Sequence, residues 1–159
     1  MRQTRKAGQI TKAGRKASGV AAIELALTLP LLVLIVTGLI EYGRLMWNYD
    51  ALAKATRDAA RYLSTVPAAN LASEASPGSA TYQMVKDATE SAGINPPLIN
   101  SNIHVTCTPS CTVSPTTLKP ERVGVAIDYP FAIGGWIPVV GMDISLVTLS
   151  PHTTMPYMK

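Results

Sequence analysis

The sequence contains few of the residues that enzymes use for chemistry. Its 159 residues include only two histidines, His104 and His152, and two cysteines, Cys107 and Cys111. It has no G-x-S-x-G motif, no glycine-rich phosphate-binding loop and no close pair of carboxylates outside a helix surface. A lone histidine is more often a structural residue than a general base. These absences argue against an enzyme, and the sequence predicts no catalytic residue, no metal site and no cofactor.

No acidic residue precedes Glu24, and the N-terminal leader before Gly19 is strongly basic. Six of the 14 basic residues of the chain lie before Gly19: Arg2, Arg5, Lys6, Lys12, Arg15 and Lys16. Beyond Gly19, acidic residues outnumber basic ones by ten to eight. The net charge of +4 therefore belongs to the leader, and it does not predict binding to nucleic acid.

Residues 20–40 form an apolar run whose only charge is Glu24. As a helix, this run would be about 31 Å long, close to the hydrocarbon thickness of a bilayer. It exceeds the apolar core of a secretory signal, which is about 7–15 residues. We predict a transmembrane helix over residues 20–40 behind a leader of residues 1–19. Because the basic leader favours the cytoplasm, residues 41–159 are expected in the periplasm or cell exterior.

Two residues of the predicted span are unusual for lipid. An ionised carboxylate in a bilayer costs at least about 2.5–3.5 kcal/mol, so Glu24 is expected to have a function and a partner. The alternative is a glutamate at headgroup depth with no role. Pro30 removes the hydrogen bond to the carbonyl of Ala26, which predicts a kink or a local opening of the helix.

Residues 41–66 continue as an amphipathic helix that Pro67 ends. Apolar residues recur there at steps of three and four, which places them on one side of the helix. They are Tyr42, Leu45, Met46, Tyr49, Leu52, Ala53, Ala60 and Leu63. Joined to the span, this segment predicts one helix of about 70 Å over residues 20–66.

The remaining chain, residues 67–159, predicts a small periplasmic α+β domain. We expect a loop of small residues at 67–78 and a helix over residues 79–92 that Gly93 terminates. The residues expected on its inner face are Met84, Val85 and Ala88. Alternating apolar runs that begin at Ile103, Val123 and Ile144 predict three short antiparallel strands.

The predicted fold class is therefore α+β. A long N-terminal membrane-spanning helix continues into an amphipathic helix, which packs on a small antiparallel sheet. The order of the strands cannot be derived from the alternation alone.

The two cysteines lie four positions apart, in CTPSC. In an oxidising compartment, such a pair can close a short loop as a disulfide. Together with His104 they would supply three metal ligands, but a fourth ligand is missing and the spacing is not common for zinc. We favour the disulfide between Cys107 and Cys111.

Residues 129–142, YPFAIGGWIPVVGM, are apolar, aromatic and rich in turn residues. An exposed apolar patch usually marks an interaction site, so this segment is a candidate docking surface for another protein or for the membrane. Trp136 is the residue that would test docking. The favoured alternative is that most of the segment packs on the helix within the core.

The segment Gly19-Val20-Ala21-Ala22-Ile23-Glu24, between a basic leader and an apolar run, resembles the processing site of type IV prepilins. The longer stretch through residue 62 is similar to TadE-like pseudopilins of tight-adherence (Flp) pilus systems. The resemblance is carried by Ala21, Ala22, Glu24, Pro30, Gly38, Glu41, Gly43, Arg44, Leu52, Ala55, Ala59, Ala60 and Arg61. It implies a minor pilin or pseudopilin, cut by a prepilin peptidase between Gly19 and Val20, that primes or caps a filament.

The resemblance also implies partners and a location. The expected partners are membrane lipid, the prepilin peptidase, other pilins and pseudopilins, and the pilus assembly platform, with no nucleic acid. The location would be the bacterial inner membrane, or a pilus. Glu24 would pair with the Val20 amine of a neighbouring subunit and set axial register, and Pro30 would let the helix bend, unless it is an ordinary membrane-helix proline.

Two rival interpretations follow from the residues alone. One is an uncleaved single-pass membrane anchor that presents a periplasmic binding or sensing domain. The other is an exported soluble protein, cut after the apolar run near Gly38. Neither accounts for a glutamate five residues after a glycine.

Overall fold

The computed structural model describes residues 14–112, 119–132 and 146–158, with side chains from residue 19 onward except that of Leu146. The chain forms two compact units, Met1–Ile40 and Glu41–Lys159. The first helix, α1, runs over Gly14–Thr65 and contributes residues to both units.

The first unit consists, in its described part, of helix α1 alone. The large apolar side chains of residues 20–40 are 44–72% exposed. Water-soluble proteins rarely leave a continuous apolar surface of this kind uncovered. Among the described residues, α1 is the one helix long and apolar enough to cross a membrane, which fits an anchor or a signal segment. The helix is continuous through Pro30, and the kink predicted there stays a prediction.

In the second unit, α1 buries one face and ends at Thr65, just before Pro67. Leu52, Ala60 and Leu63 of the predicted stripe are fully buried, which confirms them as core residues. Tyr42, Met46 and Tyr49 are exposed, so the buried face of α1 is narrower than the predicted apolar stripe. Tyr42 and Met46 each follow a residue of the covered face by one position, which rotates them about 100° around the helix toward solvent.

Two short helices follow, and the first of them was not predicted. Helix α2, Ala68–Glu74, occupies most of the expected loop and buries Leu71. Helix α3, Ala80–Ser91, confirms the predicted second helix. Gly93 follows it with a φ of +76°, a conformation that suits glycine at a helix C-terminus and confirms its role as the stop.

The inner face of α3 was only partly predicted. Val85 is fully buried and Ala88 is half-buried, whereas Met84 is exposed. Thr81, Tyr82 and Thr89 are buried beside Val85. The burial of the threonines is possible because their hydroxyl groups are hydrogen-bonded: Thr89 Oγ1, for example, donates to the carbonyl of Val85 at 3.0 Å.

The described part of the chain has five strands in two antiparallel sheets. They are β1 (Ile103–Thr108), β2 (Arg122–Ile127), β3 (Tyr129–Ala132), β4 (Leu146–Leu149) and β5 (His152–Pro156). The larger sheet has the order β1-β2-β5, and β3 pairs with β4. The antiparallel α+β class is confirmed, but β3 and β5 were not predicted as separate strands. The predicted start of the third run, Ile144, lies outside the described residues.

The central strand β2 supplies much of the core. Val123, Val125 and Ile127 are almost fully buried, as their alternation predicted. Thr56 Oγ1 of α1 lies 3.2 Å from Thr153 Oγ1 of β5, so a hydrogen bond joins the helix to the edge of the larger sheet. The chain after β5 reaches the end of α1, where the Tyr157 hydroxyl donates to the carbonyl of Val66 at 2.7 Å. The segment that follows β5 therefore contacts the C-terminal end of α1.

Candidate functional site

The predicted cleavage segment lies in the first unit, on the surface of α1. Val20 is 67% exposed, and a Cβ added at Gly19 would meet no atom within 4 Å. The bond between these residues is accessible, but it lies inside a helix, and a peptidase would have to unwind the chain locally. Glycine in a helix interior is about 1 kcal/mol less favourable than alanine, which makes this unwinding easier at Gly19.

Glu24 is exposed on the same helix. Within the described part of the chain, its carboxylate has no ion-pair or hydrogen-bond partner. The pairing expected for Glu24 is with another subunit, and it stays a prediction.

The end of the second unit that begins at Glu41 contains an ion pair between a buried carboxylate and a half-exposed guanidinium. Glu41 is 7% exposed, and its Oε1 accepts from Nη1 of Arg44 at 3.2 Å. The guanidinium carbon of Arg44 lies 5.9 Å from the ring centroid of Phe131 in β3. A buried carboxylate is stable only when it is paired, and a guanidinium over an aromatic face is favourable. The E-x-G-R segment thus joins the start of this unit to its smaller sheet.

Arg44 also affects the pKa of a buried tyrosine, Tyr129. Burial raises the pKa of Tyr129 above its ordinary value, and the positive charge of Arg44 opposes part of that shift. Burial alone raises the pKa of Tyr82 in α3. Both phenols are therefore neutral at physiological pH and serve as packing residues.

The other residues of the predicted helix motif lie on open surface. A Cβ added at Gly38 or at Gly43 would meet no atom within 4 Å. Arg61 is exposed. Packing within the described part of the chain therefore requires neither glycine, and both leave free space beside the helix there.

Within the described residues of the second unit, two grooves lie beside α1. One, of about 330 Å³, is lined by Gly43, Arg44, Trp47, Asn48, Gly93 and Asn95. The other, of about 200 Å³, is lined by Trp47, Asp50, Ala51, Lys54, Ala55, Asp58, Ala88 and Ala92. Trp47 separates them: its side chain is exposed, and its Nε1 donates to the carbonyl of Ala92 at 3.3 Å. Sequence reasoning missed both grooves because they depend on how α1 and α3 meet.

The cysteine pair and His104 lie apart from these grooves. Cys107 and Cys111 are at disulfide-bonding distance, with Cα atoms 5.0 Å apart. Nε2 of His104 lies 3.3 Å from Oδ2 of Asp128. Among the described residues, no group of three or more histidine, cysteine, aspartate or glutamate side chains is arranged to hold a metal ion. Trp136 lies outside the described residues, whereas Tyr129 and Phe131 at the start of its segment are buried in the core.

Comparisons with curated proteins and with solved structures found no match. Over part of the chain, a family model does match. The matched residues, 19–61, include the predicted cleavage segment, the exposed apolar helix and the Glu41–Arg44 ion pair. They also include Leu52, Ala55, Ala59 and Ala60, which form the covered face of α1. Residues 19–61 thus match the family of the TadE-like protein, which confirms the predicted family over this segment.

Proposed function

We propose that this chain is a membrane-anchored minor pilin or pseudopilin that takes part in assembly of a tight-adherence pilus or a related secretion machine. A prepilin peptidase cuts it between Gly19 and Val20 on the cytoplasmic side of the membrane. The second unit, Glu41–Lys159, then lies outside the cytoplasm. The protein acts by packing and positioning rather than by catalysis.

The observation that carries the proposal is the family match over residues 19–61. The TadE-like family is associated with assembly of Tad pili. The match begins at the glycine of the predicted cleavage site and includes the glutamate five residues later. The uncovered apolar surface of residues 20–40 supports the same proposal, because lipid or neighbouring helices would cover it.

Cleavage at Gly19 changes the electrostatics of the N-terminus. It removes all six basic residues of the leader and creates a new amine on Val20. In a layer of low dielectric, this amine and the Glu24 carboxylate are each unfavourable alone, so the amine of one subunit pairs with Glu24 of its neighbour. Breaking a buried ion pair typically costs about 3–5 kcal/mol, which is enough to fix the axial register between subunits.

The role of Glu24 can be tested by Glu24→Ala and by Glu24→Gln, which keeps the shape but removes the charge. We expect both variants to be cleaved normally and to fail in pilus assembly, since the amine of the neighbour loses its counter-charge. Cleavage is read from the mobility of the protein on gels, and assembly from counts of surface pili. Normal piliation of either variant would contradict the register role.

The cleavage site can be tested by Gly19→Trp, which places a bulky side chain where the peptidase must approach the backbone. Gly38→Trp is the matched control, because Gly38 also has open space around its Cα and lies outside the predicted site. We expect the precursor to persist only in the Gly19 variant. If that variant still matures at the bond before Val20, the assigned site is wrong.

A further inference from the structure

One exposed face of α1 in the second unit carries a row of three large apolar side chains. Tyr42, Met46 and Tyr49 follow one another at steps of four and three residues, so they lie in line along the helix. Their exposed fractions are 62%, 41% and 43%. A whole aromatic side chain has about 150–250 Å² of surface, so the two tyrosines alone expose roughly 160–260 Å². This row, called the aromatic ridge below, is typical of an interaction surface.

The aromatic ridge continues into a positive charge. Ala53 and Arg57 extend the row at steps of four residues toward the C-terminal end of α1. Arg57 is exposed, and within the described part of the chain it has no ion-pair partner. It stands eight residues after Tyr49, or about 12 Å further along the helix. The ridge therefore presents apolar groups first and then a cation.

The groove of about 200 Å³ lies on another side of α1, against α3. Small side chains line much of it, and this article calls it the alanine groove: they are Ala51, Ala55, Ala88 and Ala92. Its volume is below the range of small-molecule pockets, about 300–1,000 Å³, and suits protruding side chains of a protein surface. The charged residues of its lining are Asp50, Lys54 and Asp58, with a net charge of −1. None of the three forms an ion pair with another described residue.

The ridge and the groove have the same polarity along α1. Trp47 stands at the N-terminal end of the groove and Asp58 at its C-terminal end, as Met46 and Arg57 do in the ridge. Each pair is separated by eleven residues, or about 16 Å of helix. Two parallel helices at about the same height therefore match Met46 with Trp47 and Arg57 with Asp58. Antiparallel helices would place the apolar Met46 against the carboxylate of Asp58.

We propose that the aromatic ridge of one copy of this chain packs into the alanine groove of a second copy. The Tyr49 hydroxyl donates to Asp50 of the second copy, and Arg57 pairs with its Asp58. Because adjacent residues of a helix point about 100° apart, the ridge and the groove face different directions, and one copy can bind two neighbours. The parallel direction of the copies rests on the membrane anchorage in the proposed function. The inference does not depend on cleavage or on pilus assembly.

Charge reversal tests this contact without filling the groove. Arg57→Glu reverses the charge of the ridge, and Asp58→Lys reverses the charge at the end of the groove. Both residues are exposed, so neither change should affect folding. The double variant, with both changes in one chain, again has opposite charges across the contact. Arg122→Glu is the matched control, because it makes the same change at an exposed residue of β2.

The test is sedimentation of the full chain, extracted from membranes of its native host into detergent, over a dilution series. We expect the unsubstituted chain and Arg122→Glu to form dimers and larger species with the same Kd. Each single reversal should raise the Kd about tenfold, the effect of replacing a surface ion pair by like charges. The double variant should regain the Kd of the unsubstituted chain. An equimolar mixture of Arg57→Glu and Asp58→Lys chains should regain it as well, since opposite charges then meet wherever the two variants alternate.

Each alternative result overturns a stated part of the proposal. Equal association of all variants would overturn the ridge and the groove as contact surfaces. A mixture that associates no more tightly than its components would overturn the pairing of Arg57 with Asp58. Association that stops at two copies would overturn the contact with two neighbours, and an unsubstituted chain that stays monomeric would overturn the second copy as the occupant.

The same samples separate this inference from the proposed function. N-terminal sequencing reports cleavage at Gly19 independently of association. A cleaved chain that stays monomeric contradicts only the contact between copies. An uncleaved chain that associates with the expected pattern of variants contradicts only the proposed function.

Discussion

At Gly124, close packing between strands predicts a clear loss of stability when a side chain is added. It lies in the middle of β2, opposite Thr106 of β1 and Thr154 of β5. A Cβ at this position would lie 2.8 Å from Thr106 Oγ1 and 2.9 Å from Thr154 Cγ2. Both distances are shorter than van der Waals contact allows, so Gly124→Ala must displace one of the neighbouring strands or its side chains. Overpacking of this kind typically costs about 1–3 kcal/mol.

For a folded unit of the size of Glu41–Lys159, 1 kcal/mol shifts the melting temperature by about 4 °C, so we expect Gly124→Ala to lower it by about 4–12 °C. Calorimetry of the chain in detergent measures this shift. Gly43→Ala is the matched control: its Cβ meets nothing within 4 Å, and alanine should stabilise the helix by up to about 1 kcal/mol. Thr106→Ala combined with Thr154→Ser should restore part of the stability of Gly124→Ala. A Gly124→Ala protein as stable as the unsubstituted chain would refute the close packing around β2.

Two further predictions concern the disulfide and the buried tyrosines. Reduction of the disulfide, or the double substitution Cys107→Ala with Cys111→Ala, should lower the free energy of unfolding by about 2 kcal/mol, the value for so short a loop. Calorimetry with and without reductant should show this loss. An unchanged melting temperature would contradict the prediction. Because burial raises the pKa of Tyr82, the unfolded chain loses the phenol proton at lower pH than the folded chain does. The stabilisation is therefore complete below about pH 10, the ordinary tyrosine pKa, and is lost as pH rises through the higher pKa of the folded state. Tyr82→Phe should flatten the decline in melting temperature above pH 10, and an identical decline in both proteins would show that Tyr82 does not cause it.

The sequence predicted the elements whose signals are local. Helix α3 has a recognisable end because Gly93 adopts a positive φ, which its residue type favours. Val123, Val125 and Ile127 alternate with less apolar residues, and they point into the core as expected. The end of α1 before Pro67 follows from the missing N–H of proline. These features need no knowledge of the rest of the fold.

Other features depend on tertiary contacts and could not be predicted. Helix α2 is built from small and polar residues, and Leu71 is its only buried apolar residue. Strand β5 is largely polar because it lies at the edge of the larger sheet, where its strand hydrogen bonds come from β2. Glu41 is buried although it is charged, because Arg44 provides a counter-charge one helical turn away.

Some features of the candidate site could likewise be predicted from the sequence, and others depend on tertiary contacts. Gly19 and Glu24 were found from their spacing and the apolar run that follows, which are properties of the sequence alone. The groove at Arg44 and Trp47 requires the end of α3 to lie beside α1, and that contact is not encoded in any local pattern. The exposed Trp47 was a usable signal, because it interrupts the polar side of the amphipathic pattern.

The central claim is that the chain is processed as a prepilin, and the N-terminus of the mature protein tests it most directly. Intact mass and N-terminal sequencing of the protein extracted from membranes of its native host give this answer. The proposed function predicts a chain that begins at Val20, with or without one added methyl group. A membrane protein that retains residues 1–19, or a soluble product that begins near Leu39, would contradict it.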